Sequence, residues 1–332
     1  MAKKEITVTF RTITPLWTGD AWQNNGEIRP SSLIGSLRFW FAFYWKVVKN
    51  GTTEKLNENG IPKESLSELE NPKANKTFKA ILKNKIIESI NFDEAIDKTL
   101  EELGLSVPSR IFGCTGWKSR IKIKIAKFSA RELNFDDVET EFPLNKLQNA
   151  NITSEFWIKR SLFANKKIVK GFDNIELKLN TTEYWWNNYL KDFFSFFKDK
   201  IILIGGKKSF GFGLVNITIG RVSNNVFNGW NNYLKLEKIS PIQYNRNKKV
   251  LGFNFKYFLR KRENKNFRSI NFGEQGQASK VYVSHLLENS EKYIYLLVLN
   301  SPFDEIRKIP PNVINKYKNW LNELSNSEEN NG

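Results

Sequence analysis

A glycine-rich run near the middle of the chain carries the residue types that bind phosphate. Residues 205–213 contain four glycines together with Lys207, Lys208 and Ser209, and an apolar stretch stands on each side of them. Glycine allows a positive φ and a close approach of two backbones, and lysines beside exposed amides attract anions. The pattern predicts a loop that binds RNA or DNA. The simpler alternative is a tight hairpin whose lysines are solvated.

Two further segments combine basic, small and aromatic side chains. Pro30–Ser32 marks a helix start, where free backbone amides attract phosphate, although ordinary capping would use the same residues. The segment Arg110–Arg120 offers cations and an indole ring on which a base could stack, although a plain loop is the alternative. The residues predicted to bind RNA are Arg29, Ser31, Ser32, Arg38, Arg110, Trp117, Lys118, Ser119, Arg120, Lys207, Lys208, Ser209 and Gly211.

Several catalytic motifs are excluded by the residue types present. Ile201 stands where a nucleotide-hydrolase loop has its first glycine, and Lys208 stands where that loop has Ser or Thr. Asn216 replaces the third glycine of a dinucleotide-binding fingerprint. His285 is the single histidine, which excludes paired-histidine metal sites and ribonuclease chemistry with two histidines. The sequence therefore predicts no catalytic residue, no metal site and no cofactor.

The overall charge favours a polyanionic partner. The 332 residues include 52 Lys and Arg against 35 Asp and Glu, a net charge of +17. Basic residues interleaved with aromatics favour nucleic acid over a membrane surface. Cys114 is the single cysteine, so no internal disulfide can form and a reducing compartment is expected. The N-terminus resembles a strand rather than a signal peptide, and the apolar run Phe39–Tyr44 is too short to cross a bilayer, so we expect a cytoplasmic protein without membrane contact.

The first part of the chain has the pattern of an alternating strand and helix fold. The expected order is strand, helix, strand, strand, helix, strand, which is the split βαβ, or ferredoxin-like, arrangement. A charged, Asn-rich stretch at about 50–107 is expected to form a helical insertion on the surface. Apolar periodicity predicts strands at 5–14, 121–125, 156–163, 175–179, 201–204 and 214–219, and helices at 30–48 and 184–198.

The second part repeats this plan in a shorter form. A helix is predicted at 226–236, a strand at 250–259, a hairpin between Lys280 and Leu299, and a helix at 311–324. The predicted fold class is α+β, with two ferredoxin-like (RRM-like) domains in tandem. The first spans 1–222 and the second, a degenerate copy, spans 223–332. In a ferredoxin-like unit the first strand–helix junction lies near the loop before the last strand, so we expect these two segments to converge on one groove.

Several blocks of the sequence resemble the RAMP superfamily. Residues 7–19 and 27–40 are similar to its first strand and first helix, and the latter run is most similar to the first RAMP subunit of the Cmr complex, a type III-B CRISPR effector. Residues 110–121 are similar to a second block, and 205–213 to the glycine-rich loop of the superfamily. Residues 277–280 are similar to a C-terminal block, although proline is common at the position of Lys280.

This resemblance implies a non-catalytic RNA-binding subunit. Such a subunit would hold guide (CRISPR) RNA near its 3′ end, beside other RAMP subunits, and would help to capture target RNA in antiviral defence. Two alternatives stay open. One is a metal-independent endoribonuclease of the same superfamily that uses His285 as its base, and the other is a protein-only adaptor whose positive charge meets an acidic partner.

Overall fold

The structure, a computed structural model, contains two antiparallel sheets covered by helices. It describes residues 2–19, 25–51, 56–57, 63–64, 66, 72–140, 154–220, 232–239, 248–274, 277–285, 293–304 and 307–326.

The first sheet has five strands, and the N-terminal strand lies at its centre. β1 (Lys3–Thr12) pairs antiparallel with β3 (Ile168–Thr182) on one side and with β5 (Leu214–Ile219) on the other. β2 (Lys122–Asn134) forms one edge beside β3, and β4 (Ile201–Leu203) forms the other edge beside β5. The strands predicted near 5–14, 121–125, 175–179, 201–204 and 214–219 are thereby confirmed.

Two helical segments cover one face of this sheet. The first is α1 (Pro30–Val47). The second is continuous and consists of α6 (Glu183–Trp185), a π-helical turn (Trp186–Leu190) and α7 (Lys191–Phe197). Both agree with the predicted helices, and both bury a high proportion of aromatic side chains because they lie between the sheet and other helices.

Aromatic contacts fix the position of α1 on the sheet. The rings of Phe41 and Phe193 pack edge to face with centroids 5.4 Å apart. The Trp40 indole is buried, and its Nε1 donates a hydrogen bond to the carbonyl oxygen of Leu203 in β4 at 2.8 Å. Because aromatic rings bury large areas in defined orientations, these contacts hold the middle of α1 against the sheet and the end of β4.

Helices also occupy the region of the predicted insertion. α2 (Pro72–Glu88) and α3 (Phe92–Glu102) lie within it, and α4 (Val107–Phe112) begins at its end. The Asn91 side chain accepts a hydrogen bond from the backbone amide of Glu94 at 3.0 Å, which caps the N-terminus of α3.

The second sheet has three strands in the order β6 (Leu234–Ile239), β8 (Ile294–Leu299) and β7 (Val281–Val283). Strands β7 and β8 pair antiparallel, as the predicted hairpin requires. Its proposed turn at Glu288 and Asn289 and the predicted domain boundary at residue 222 lie outside the described residues. Three leucines of this sheet belong to the hydrophobic core of the first half, so the two halves share packed surface: Leu234, Leu297 and Leu299.

In the described part of the second half, three helices accompany this sheet. These are α8 (Gly252–Arg262), α9 (Lys265–Phe272) and α10 (Val313–Asn326), and the last confirms the helix predicted near the C-terminus. Within the described ranges, no helix combines the length and the apolar character needed to cross a membrane.

Two predicted strands are helical in the structure. The strand predicted at 156–163 is instead α5 (Ser154–Trp157) followed by a π-helical turn (Ile158–Leu162), with Ile158 and Leu162 buried one helical turn apart. The strand predicted at 250–259 is α8, in which Phe255 and Leu259 are buried at the same helical spacing. Both errors come from reading clustered aromatic residues as a strand, when the buried ones recur every fourth residue.

The helix predicted at 226–236 is also wrong where it can be compared. Residues 234–236 belong to β6, which pairs with β8 through Leu234 and Leu299. The earlier part of that prediction, up to residue 231, falls outside the described residues. Pairing with a neighbouring strand outweighs local helix propensity at this position.

Candidate nucleic-acid interface

The glycine loop between β4 and β5 is pinned to the connection that follows β1. Gly205 has a φ of 79°, and an added Cβ would lie 2.3 Å from the carbonyl oxygen of Trp17. The backbone amide of Gly206 donates a hydrogen bond to the same oxygen at 2.7 Å. Only glycine fits both the conformation and this close approach, so the loop sequence is a requirement of the local packing.

The start of α1 lies directly beside this loop. The amide of Gly205 donates a hydrogen bond to the Ser36 hydroxyl oxygen at 2.9 Å. The helix begins at Pro30 after Arg29, whose side chain makes no capping hydrogen bond, and its first turn contains no acidic residue. The positive end of the helix dipole is therefore not neutralised by a carboxylate in that turn. The expected proximity of the strand–helix junction and the glycine loop is observed.

A cleft of about 390 Å³ opens where these segments meet the second half of the chain. The first half contributes Arg38 from α1 and Lys208 from the glycine loop. The second half contributes Lys280 and Arg307, together with one carboxylate, Asp304. Other polar or backbone-exposing residues also line the cleft: Ser32, Gly35, Ser36, Gly205, Gly206, Ala278, Ser279 and Ser301.

The contribution of the second half was not predicted from the sequence. Lys280 is buried, and its Nζ lies 3.2 Å from a carboxylate oxygen of Asp304. A guanidinium nitrogen of Arg307 lies 2.7 Å from the same oxygen. Burial raises the pKa of Asp304, but the Arg307 amide and the two cations outweigh it and hold that pKa below its usual value. The one available signal was the block 277–280, which resembles the superfamily but was assigned no site residue.

Two lysines at this junction are desolvated without a compensating carboxylate. Burial lowers the pKa of Lys208 to about 8 and that of Lys256 to about 7. Lys256 Nζ lies 3.0 Å from the hydroxyl oxygen of Ser209, a predicted site residue that is otherwise exposed. Among the described residues, neither ammonium forms an ion pair with a carboxylate. Uncompensated cations in a low-dielectric site are stabilised when an anion binds.

The other predicted residues of the glycine loop have different surroundings. Lys207 turns away from the cleft lining, donates to the carbonyl oxygen of Ser161, and lies 5.8 Å from the ring centroid of Trp17. Gly211 is buried at a φ of 91°, and an added Cβ would lie 2.6 Å from Nδ1 of His285. Gly211 therefore serves the contact between the two halves, and its role in RNA binding stays a prediction.

The residues predicted at the start of α1 differ in their access to solvent. Ser31 is exposed, while Ser32 and Arg38 are half-buried and line the cleft. Burial lowers the pKa of Arg38. Arg29 is half-buried and lies 3.7 Å from a carboxylate oxygen of Glu27. Ser32 and Arg38 are thus the members of this group that the structure brings together with Lys208.

The predicted segment from Arg110 to Arg120 does not line the cleft. Arg110 is buried in α4, and its guanidinium forms an ion pair with Asp97 at 2.9 Å. The Trp117 Nε1 donates to the carbonyl oxygen of Arg110 at 3.1 Å, and its ring is covered by the Arg120 guanidinium at 4.1 Å. The Ser119 hydroxyl forms hydrogen bonds with nearby backbone, and of the predicted site residues in this segment Lys118 alone is exposed. RNA binding by this segment stays a prediction, and these internal contacts argue against it.

The single histidine lies in the seam between the two halves. His285 is 5% exposed, and its Nδ1 accepts a hydrogen bond from the amide of Gly252 at 2.9 Å. Its ring packs edge to face on Phe212, with centroids 4.7 Å apart. Burial lowers the pKa of His285 to about 3, so the ring is neutral at physiological pH. A general base must reach the proton that it removes, and this ring is enclosed by protein.

Comparisons with known proteins give a family and one related structure. The sequence profile of the RAMP superfamily matches residues 9–216. The crystal structure of Cmr1 from Pyrococcus furiosus, in its apo form, covers 90% of this chain, and 88% of that chain is covered in return, at 13% sequence identity and a TM-score of 0.39. No curated protein matches the sequence significantly.

Proposed function

The chain belongs to the RAMP superfamily, and from this premise we propose that it is a non-catalytic RNA-binding subunit of a type III-B CRISPR (Cmr) ribonucleoprotein. In this role it holds guide RNA near its 3′ end, contacts other RAMP subunits and helps to capture target RNA in antiviral defence. The resemblance of residues 28–40 to the first RAMP subunit of that complex supports the choice among RAMP-containing complexes.

We further propose that both halves are variants of the ferredoxin-like fold. The order β2–β3–β1–β5 in the first sheet, with neighbouring strands antiparallel, is that of a split βαβ unit to which β4 adds an edge strand. The order β6–β8–β7 in the second sheet repeats the first three strands of the same plan. A doubled unit of this kind supports a cleft between its copies.

The cationic cleft is the observation on which the RNA-binding proposal rests. Among the described residues, Arg38, Lys208, Lys280 and Arg307 line one cavity together with one carboxylate, that of Asp304. A cleft of this charge and shape binds the ribose-phosphate backbone and makes few base-specific contacts. A binding role without catalysis is supported by the enclosed position of His285, which leaves the endoribonuclease alternative without an accessible base.

The protein-only adaptor stays a second candidate because of one surface feature. The end of α2 and the turn that follows it expose apolar side chains, including Ile87 at 81% and Ile90 at 95% of their surface. Exposed apolar patches of this kind mark protein interfaces. An interface there is compatible with RNA binding in the cleft, since the two surfaces have no lining residue in common.

The proposal is tested by RNA affinity across a salt series. The purified protein should bind an unstructured RNA of guide length, with affinity that falls steeply as salt rises. Lys208→Gln should weaken binding and reduce the slope of log K against log salt by about 1, as expected for one lost phosphate contact. Lys124→Gln, which removes an exposed lysine of β2 outside the cleft, is the charge-matched control and should leave cleft binding nearly unchanged. An affinity that does not depend on salt would contradict the proposal.

A further inference from the structure

A second surface beside the glycine loop has the composition of a base-stacking site. In α5, the side chains of Phe156 and Trp157 are 50% and 41% exposed. Their rings pack edge to face with centroids 5.2 Å apart, so they form one continuous aromatic surface. Singly exposed apolar side chains are common on protein surfaces, whereas contiguous exposed apolar surface more often marks a binding site.

This aromatic surface is held in place by the buried side of the same segment. Ile158 and Leu162 are fully buried in a cluster that also contains Phe163. The amide of Phe163 donates a hydrogen bond to the carbonyl oxygen of Ile158 at 3.1 Å, which closes a wide π-helical turn. π-helical turns occur frequently at functional sites, and this one directly follows the two exposed rings in the chain.

One cation lies over an exposed ring, and a second lies over the neighbouring half-buried ring of Phe135. The Arg160 guanidinium lies 5.7 Å from the centroid of the Phe156 ring, and Lys159 Nζ lies 5.9 Å from that of Phe135. Both basic side chains are exposed, against one exposed carboxylate of the same segment, Glu155. Planar guanidinium groups and aromatic rings are the side chains on which unpaired bases stack.

The aromatic surface is joined to the cleft by the glycine loop. Lys207 donates a hydrogen bond to the carbonyl oxygen of Ser161, within the π-helical turn. Its chain neighbours Gly206 and Lys208 both line the cleft. The glycine loop therefore contacts both the cleft and the segment that carries Phe156 and Trp157.

We propose that Phe156 and Trp157, with Arg160, form a stacking platform for unpaired bases of single-stranded RNA. The inference rests on the proposed RNA-binding function and extends it, because it assigns a place to the bases as well as to the backbone. The flanking cations, the net charge of +17 and the continuity with the cleft favour RNA over an apolar protein segment as the occupant. Stacking accepts every base, so the platform adds affinity with little sequence preference.

The test uses the full-length protein and fluorescence anisotropy with labelled oligo(A) at several salt concentrations. Trp157→Ala and Phe156→Ala should each weaken binding about tenfold, and the slope of log K against log salt should not change, because stacking releases no counterions. Trp157→Phe should retain most of the affinity. Phe128→Ala is the matched control, since Phe128 is 52% exposed on β2, and it should leave the affinity unchanged.

A probe without bases separates stacking from backbone binding. An oligonucleotide of the same length that lacks its central bases should bind wild type and Trp157→Ala equally well. If Trp157→Ala and Phe156→Ala bind oligo(A) like wild type while Lys208→Gln is weakened, the platform is wrong and the proposed function stands. If wild type binds neither oligonucleotide, the proposed RNA-binding function itself is contradicted. A change in self-association or partner binding without a change in RNA affinity would also overturn the platform.

Discussion

At the scale of single residues, two desolvated lysines set the pH response: Lys208 lines the cleft, and Lys256 contacts Ser209 in the adjoining glycine loop. Lys208 and Lys256 have pKa values lowered by burial to about 8 and about 7, so both titrate near physiological pH. A bound phosphate favours the charged ammonium and raises both pKa values in the complex. Binding of RNA therefore takes up protons.

The first prediction is that RNA affinity decreases as pH rises from about 7 to 9, because the lysines of the free protein lose protons over this range. The free energy of unfolding should change with pH in the opposite direction. Unfolded lysines have a pKa near 10.4 and bind more protons than the folded ones, so this term increases the free energy of unfolding as pH rises. Anisotropy titrations at three pH values test the first part. Lys256→Met should flatten the profile near pH 7, and a profile equal to that of wild type would contradict the assignment.

At the scale of elements, the seam between the halves depends on two glycines and one histidine. Gly211 precedes β5, Gly252 begins α8, and His285 follows β7. The Gly252 amide donates to His285 Nδ1, and an added Cβ on Gly252 would lie 2.8 Å from the Gly211 Cα. Three elements from both halves thus meet without room for a further side chain.

The second prediction concerns this seam. Gly211→Ala should destabilise the protein by about 1–3 kcal/mol, because it combines a left-handed φ with a Cβ that would meet His285. Gly35→Ala is the control, since no atom lies within 4 Å of its added Cβ, and it should stabilise α1 by about 0.5–1 kcal/mol. Urea unfolding followed by circular dichroism measures both. Equal stability of the two variants would mean that the seam is looser than described.

The third prediction concerns the attachment of α4 to α3. Burial raises the pKa of Asp97 despite the neighbouring charge of Arg110, and the Tyr184 hydroxyl donates to the same carboxylate at 2.9 Å. Arg110→Ala should destabilise the fold by about 3–5 kcal/mol, because it leaves a buried carboxylate unpaired. Lys118→Ala, at an exposed position, should change stability by less than about 0.5 kcal/mol. A stable Arg110→Ala protein with reduced RNA affinity would instead support the role predicted from the sequence.

Elements with a regular apolar period could be predicted from the sequence, and elements with clustered aromatic residues could not. β1 alternates Val8 and Phe10 with polar residues, which fixes a strand. In 250–259 the phenylalanines at 253 and 255 suggest alternation, but burial of Phe255 and Leu259 follows a helix. The same reasoning missed the exposed rings of 156–157, because the sequence does not tell whether an aromatic residue faces the core or solvent.

At the scale of the whole molecule, the cleft needs both halves of the chain. Lys208 lies in a loop of the first sheet, and Lys280 directly precedes β7 of the second sheet. The two halves are held together by a shared core to which the second sheet contributes Leu234, Leu297 and Leu299. The convergence of the glycine loop and the start of α1 followed from the expected topology. The cations of the second half could not be placed, because contacts between sheets depend on tertiary packing and leave no local periodicity.

The fourth prediction follows from this shared site. RNA that bridges the two halves binds only the folded chain, so a free RNA concentration of 100 times Kd should raise the free energy of unfolding by about 2.7 kcal/mol. Thermal or urea unfolding with and without RNA measures the shift. The Lys208→Gln variant should require a higher RNA concentration for the same increase in the free energy of unfolding. Stabilisation by RNA that persists unchanged in this variant would place the bound strand elsewhere on the molecule.

The conformation of Lys207 limits how the glycine loop can vary. Its φ of 51° is left-handed, and this turn sends two successive lysines to different surroundings, one to the carbonyl of Ser161 and the other to the cleft. Removing or adding one residue between Gly205 and Gly213 would exchange these directions and misplace both ammonium groups. Relatives that keep this architecture should therefore tolerate replacement at exposed positions such as Ser209 more readily than any insertion or deletion in the loop.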